Sequence, residues 1–157
     1  GCEQAGAHFV LARLEGGSDM RSTCTIGLTS TDLYPPRRFD FVTGMTDAVH
    51  RVGLFSFARY YEDQRREEMS KQAEVELRRQ ISICMVKVLC RESLKLCGFG
   101  DCHLMECLMN PFTGSRPEAV NRLPLELCGV CLRKLYWATQ ADLLDRHARL
   151  PAVLAGW

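Results

Sequence analysis

The pattern of apolar and polar positions divides the chain into a strand-rich first third and a helical remainder. Cys24-Thr-Ile-Gly-Leu-Thr29 is rich in β-formers and ends at a polar turn, Ser30-Thr-Asp32. Tyr34-Pro35-Pro36 is a breaker. Phe39–Gly44 reads as a second strand, and Arg51–Phe57, with alternating character, as a third. Ahead of these, His8-Phe-Val-Leu-Ala-Arg-Leu14 predicts a strand and Glu15-Gly-Gly-Ser-Asp19 a loop.

From Glu62 to Cys97 the chain has neither Pro nor Gly, which predicts two helices or one long one. The stretch Ile81–Cys97 is the more apolar and is expected to be the core helix. Gly98 is well placed just beyond its end, where a left-handed backbone is cheap only for Gly. Residues 111–124 read as loop. Leu132–Arg149 is again helical, with Leu132, Leu135, Tyr136, Leu143 and Leu144 on one stripe. The terminal Leu150–Trp157 is short and apolar, and Trp157 suits either an interface anchor or a fold back onto its own domain. The charged stretch Glu62–Arg79 mixes Arg65, Arg66, Lys71, Arg78 and Arg79 with glutamates, the pattern of a solvated face.

Composition narrows the class. The 157 residues suffice for one domain with a real core, and a net charge of +1 gives no bulk electrostatic reason for a nucleic-acid or membrane partner. No apolar run approaches the roughly 20 residues a spanning helix needs. The chain opens at Gly1 without Met or a signal-peptide pattern, which suggests a processed chain or a piece of a longer one. Nine cysteines, several closely spaced, suit metal better than a disulfide framework and point to a reducing compartment: cytosol, nucleus or mitochondrial matrix.

The candidate metal ligands are Cys102 and Cys107, separated by four residues, and Cys128 and Cys131, separated by two. Two close pairs on separate loops can converge on one tetrahedral Zn²⁺, and the second pair precedes a helix whose N-terminus favours thiolate charge. The bland alternative is four buried, unlinked thiols. His103 is an alternative ligand for one position. Cys90 and Cys97, seven apart on one helix face, are expected to be core thiols. A closed four-thiolate site leaves no position for water and is therefore structural.

The run Arg91-Glu92-Ser-Leu-Lys95-Leu-Cys-Gly98-Phe-Gly-Asp101-Cys102, continuing through Cys107 and Met109 to Cys128-Gly-Val-Cys131, resembles the archaemetzincin family of zinc metalloproteases. That family carries H-E-x-x-H-x-x-G-x-x-H-C-x4-C-x-M followed by C-x-x-C. Gly27–Tyr34, Phe41–Gly44 and Arg51–Arg59 are also similar to its core strands. The resemblance implies an α/β (α+β) fold of metzincin type: a small mixed twisted sheet, a core helix and a C-terminal helical subdomain stabilised by a four-cysteine zinc site. It implies a domain over 24–149 with the zinc subdomain at 102–149, preceded by a segment 1–23 readable as an edge strand of a truncated domain and followed by the tail 150–157. It implies that Cys102, Cys107, Cys128 and Cys131 bind one structural Zn²⁺, that Glu92 matches the general base, and that Met109 matches the methionine beneath the catalytic metal.

The family's three catalytic histidines, however, fall on Arg91, Lys95 and Asp101. Arg has no lone pair to give, Lys must first lose a proton, and both repel a dication. Arg91 and Lys95, with Glu92 and Asp101 as counter-charges, are expected either to fill the space of the lost ion or to face solvent from a decayed cleft. His50, His103 and Cys97 offer nucleophile-and-base chemistry only if the fold unites them. The expectation is a catalytically inactive pseudo-peptidase that contributes protein contacts as a scaffold, subunit or assembly factor of a larger complex, a mitochondrial or ribosomal one being a candidate. An active metalloprotease and an RNA-contacting ribonucleoprotein subunit are the alternatives.

Overall fold

The computed structural model describes residues 4–19, 21–36, 40–62, 70–112 and 117–155. The chain divides into two compact units, Gly1–Gly100 with Phe112–Arg122, and Asp101–Pro111 with Leu123–Trp157.

The first unit is a small sheet between two helices. β2 (Thr25–Thr29) pairs parallel with β5 (Val52–Ser56), and β4 (Gly44–Asp47) pairs antiparallel with β5, which is therefore central. All of β5 is buried, because its alternate side chains meet different helices. Leu54 packs with α1 (Ala7–Gly16), whereas Phe55 packs with α3 (Lys71–Leu96). A second, two-stranded sheet pairs β1 (Gln4–Gly6) parallel with β3 (Asp32–Tyr34).

Three expectations are corrected here. His8–Leu14 is helix within α1, not strand. Ala7, Val10, Leu11 and Leu14 follow helical spacing and pack together against Leu33 and Leu54. Gly27 makes the approach possible, since a Cβ there would lie 2.5 Å from Leu14 Cδ1. The turn expected at 30–32 gives way to β3, whose Leu33 also bridges Val42. The second strand lies at Gly44–Asp47 rather than Phe39–Gly44, and Phe39 falls outside the described residues.

The core helix forms as expected. α2 (Ala58–Glu62) precedes it, with residues 63–69 outside the described set. The Ser70 hydroxyl caps α3 by accepting from the Ala73 amide at 3.3 Å. Ile81, Cys84, Lys87, Arg91 and Leu96 are its buried positions. Gly98 has φ +91°, with the Gly98 amide donating to the Lys95 carbonyl and the Phe99 amide to the Leu94 carbonyl, a Schellman closure. α4 (Pro117–Asn121) packs on α3.

In the second unit, α5 (Gly129–Thr139) and α6 (Leu143–Ala155) replace the single expected helix. Gln140 adopts φ 54° and ends α5, and Asp142 caps α6 by accepting from the amides of Leu144 and Asp145. The apolar stripe is thereby split. Residues 150–155 are the last turns of α6, and Trp157 lies outside the described residues.

Candidate functional site

The four predicted ligands come together. Cys102, Cys107, Cys128 and Cys131 are buried, and their sulfurs lie within 4.8 Å of one another. The Cys102 and Cys128 sulfurs are 3.8 Å apart. Four thiolates at about 2.3 Å from a tetrahedral zinc are separated by about 3.8 Å, so this edge matches the expected polyhedron and is far from a disulfide. His103 is exposed and takes no part in the group.

Local structure builds this site twice over. Cys128 is the N-cap of α5 and Cys131 lies in its first turn, so the helix start presents both sulfurs to one point. The Cys102–Cys107 loop is folded by Asn110, which the sequence reading missed. Its side-chain amide donates to the carbonyls of Cys102 at 2.7 Å and Met105 at 2.9 Å, and its side-chain oxygen accepts from the Cys107 amide at 2.8 Å. The Cys107 sulfur accepts from the backbone amides of Met109 at 3.4 Å and Cys128 at 3.3 Å. Met109 is fully buried beside this loop, its carbonyl accepting from the Cys102 amide.

The electrostatics favour a cation. The backbone amides of Leu104 and Met105, with Cys128 and Cys131, bring the Cys102 thiol down to about 7 against the opposing effect of burial. Burial pushes Cys107 up, and burial with the neighbouring sulfurs pushes Cys131 far up. Thiols this close cannot all ionise unaided, whereas a Zn²⁺ among them offsets half of the four negative charges. The donor set fits zinc in number, type and spacing.

Arg91, Glu92 and Lys95 lie on α3. Arg91 is buried at 4% exposure and its guanidinium donates to Glu92 Oε1 at 2.7 Å. Lys95 Nζ stands 3.9 Å from the same oxygen. The Arg91 guanidinium also lies over the Phe112 ring, 5.0 Å from its centroid. Two cations therefore converge on one carboxylate oxygen, and Glu92 is engaged within its own helix. Asp101 is exposed at the start of the second unit.

Glu92 lines a cleft of about 170 Å³ with Thr43–Thr46 of the β4 edge, Phe55–Phe57, Tyr60, Val88 and Phe112. Burial raises the Tyr60 hydroxyl to about 12. Asp32 of β3, buried at 4%, accepts from Arg59 Nε at 3.0 Å and Nη2 at 2.6 Å and from Gln4 Nε2 at 2.8 Å. Burial alone would raise the Asp32 carboxyl, but Arg59, Gln4 and the Leu33 amide hold it below the usual carboxylate range.

Cys90 and Cys97 are exposed rather than core thiols, because the face of α3 that meets the sheet runs through Ile81, Cys84 and Arg91. His50 is held at the surface between Asp47 (Nδ1 to Oδ2, 2.9 Å) and Glu15 (Nε2 to Oε1, 3.2 Å). Both of its ring nitrogens are thereby taken by carboxylates rather than by a thiol. Among the described residues no helix is long and apolar enough to cross a membrane.

Comparison with known proteins gives a consistent set of likenesses. No protein-family model matches the chain. It is 31% identical over 172 residues to human archaemetzincin-1, a match covering 94% of this chain and 34% of that protein, so the chain spans about a third of that relative. Among solved structures it is similar to the archaemetzincin of Methanopyrus kandleri, with TM-score 0.59 and 27% identity over 88% of this chain and 67% of that one. A zinc-dependent peptidase from Methanocorpusculum labreanum shares the fold, with TM-score 0.61 and 21% identity over 84% of this chain and 74% of that one.

Proposed function

The chain is an archaemetzincin homologue with that family's zinc-peptidase fold, and we propose that it is a non-catalytic member: it keeps a structural zinc and has exchanged the catalytic one for an internal ion network. The structural zinc is assigned to Cys102, Cys107, Cys128 and Cys131. The observation that carries the loss of catalysis is the convergence of Arg91 and Lys95 on Glu92. A helix binds zinc through neutral imidazoles at i and i+4. This helix presents a guanidinium and an ammonium there instead. Glu92, the residue that would take a proton from an activated water, has its Oε1 committed to Arg91.

The retained fold then works through protein contacts, as a scaffold, subunit or assembly factor of a larger complex. A mitochondrial or ribosomal assembly is the proposed setting, in keeping with a cysteine number and spacing that suit a reducing compartment.

Metal analysis of the purified chain tests the catalytic half of the reading. One zinc per chain and no cleavage of peptide libraries is expected. Two zincs per chain, or peptide cleavage abolished by Glu92→Gln, would make it an active protease. Gradient sedimentation of cell extract tests the second half: the chain should travel with a large assembly, and sedimentation as a free small protein would defeat that assignment.

A further inference from the structure

We propose that Cys24 and Cys97 form a redox-active thiol pair, able to close into a disulfide that ties the start of β2 to the end of α3. Both are free in the structure, and neither belongs to the four-cysteine group. Strand parity places Cys24 correctly. Gly27 faces α1, where it meets Leu14, while Ile26 packs on the α3 side with Ile81 and Cys84. Cys24, two residues before Ile26, shares the Ile26 face.

The end of α3 reaches that same corner. Leu96 lies against Gly53, 3.1 Å from where a Cβ would stand, and Gly53 is the register partner of Ile26. Cys97 is the next residue, the C-cap of the helix. Cys24 and Cys97 are thereby brought to one corner of the unit, the Cys97 sulfur near enough to disfavour the Cys24 thiolate. Neighbouring thiols on a strand and a helix that already pack together need a side-chain rotation rather than a refolding step to bond.

Exposure sets the order of events. Cys97 is exposed and Cys24 half-buried, so a small disulfide such as oxidised glutathione meets Cys97 first. The Cys97 thiolate attacks it, forming a mixed disulfide and releasing one glutathione. The Cys24 thiolate then attacks the Cys97 sulfur and expels the second glutathione. Two protein thiols are oxidised, and one glutathione disulfide is reduced to two glutathione thiols. Burial and the neighbouring Cys97 push the Cys24 thiol up, so closure quickens as pH rises through neutrality. The bond would fasten the C-terminal end of the helix that carries Arg91, Glu92 and Lys95.

The test uses the zinc-loaded chain, incubated with oxidised glutathione, alkylated without reduction, digested and mapped by mass spectrometry. A Cys24–Cys97 cross-linked peptide is expected, lost in both C24S and C97S, with zinc content unchanged. Stable glutathionylation of Cys97 with Cys24 still alkylated would overturn the proposal, as would pairing of either residue with another cysteine. The wild-type map decides the matter even if a variant fails to fold.

Discussion

Removal of one zinc ligand should unfold the second unit while leaving the first intact. Cys107→Ser is the sharpest perturbation, because this sulfur is fully buried and accepts from two backbone amides. Structural zinc in small cysteine sites contributes about 10–16 kcal/mol at neutral pH, so an even share per ligand is about 3 kcal/mol. The two amides left without their sulfur add about 1 kcal/mol each, for a loss of about 5 kcal/mol. Little stands against this loss. Besides the four cysteines, the buried residues described in this unit are Leu108, Met109 and Leu123. Their burial contributes about 1.5–3 kcal/mol each before chain entropy of about 1 kcal/mol per ordered residue is set against it. The metal site is thus the core of this unit.

Hydrogen exchange with site resolution reads the outcome. In C107S, or after zinc chelation, the amides of α5, including that of Leu132 which bonds the Cys128 carbonyl, should exchange at rates near those of an open chain. The amides of β5 should stay protected. Retained protection across α5 in zinc-free protein would refute the argument, since the unit would then have a source of stability other than metal.

Asp32→Asn should cost about 1–3 kcal/mol in urea unfolding, discounted because Arg59 is 35% exposed. Since the folded carboxyl is held low, its contribution is present above the usual carboxylate value and is lost as pH falls through the lowered one, so variant and wild type should converge in stability in acid. Gly98→Ala should cost about 1 kcal/mol from backbone strain alone, because φ is +91° and a Cβ there meets nothing within 4 Å; a stability unchanged within error would contradict the Schellman closure. Replacement of both Arg91 and Lys95 by His should restore imidazoles at i and i+4 on α3 and raise bound zinc above one per chain, measured by metal analysis; no added zinc would mean that more than these two side chains has been lost.

Legibility in the sequence followed locality. The zinc pairs, Gly98 and the core helix are written in short-range spacing, and each was found where expected. α1 was misread because a seven-residue apolar run fits a strand or a helix face equally well; only its packing on Leu33 and Leu54 decides. β3 is three residues long and exists because β1 pairs with it and Arg59 seats its buried Asp32, none of which is local. Asn110 carried no spacing signal, although it folds the first ligand loop. The break at Gln140 hides in a stretch with neither Gly nor Pro.

The same contrast separates the four-cysteine group from the α3 positions that match the family's catalytic motif. A structural four-cysteine site is the core of its unit, so a change there removes the fold and is not tolerated as a functional variation. The α3 positions stand on a helix already held by its cap, by α4 and by the sheet, so the side chains there can change without loss of the element. Replacement by arginine is nevertheless demanding, because a guanidinium at 4% exposure needs compensating charge and contact. Glu92 and the Phe112 ring supply both. Glu92 thus retains a physical reason to be a carboxylate in the absence of proteolysis, and its presence alone does not argue for an active enzyme.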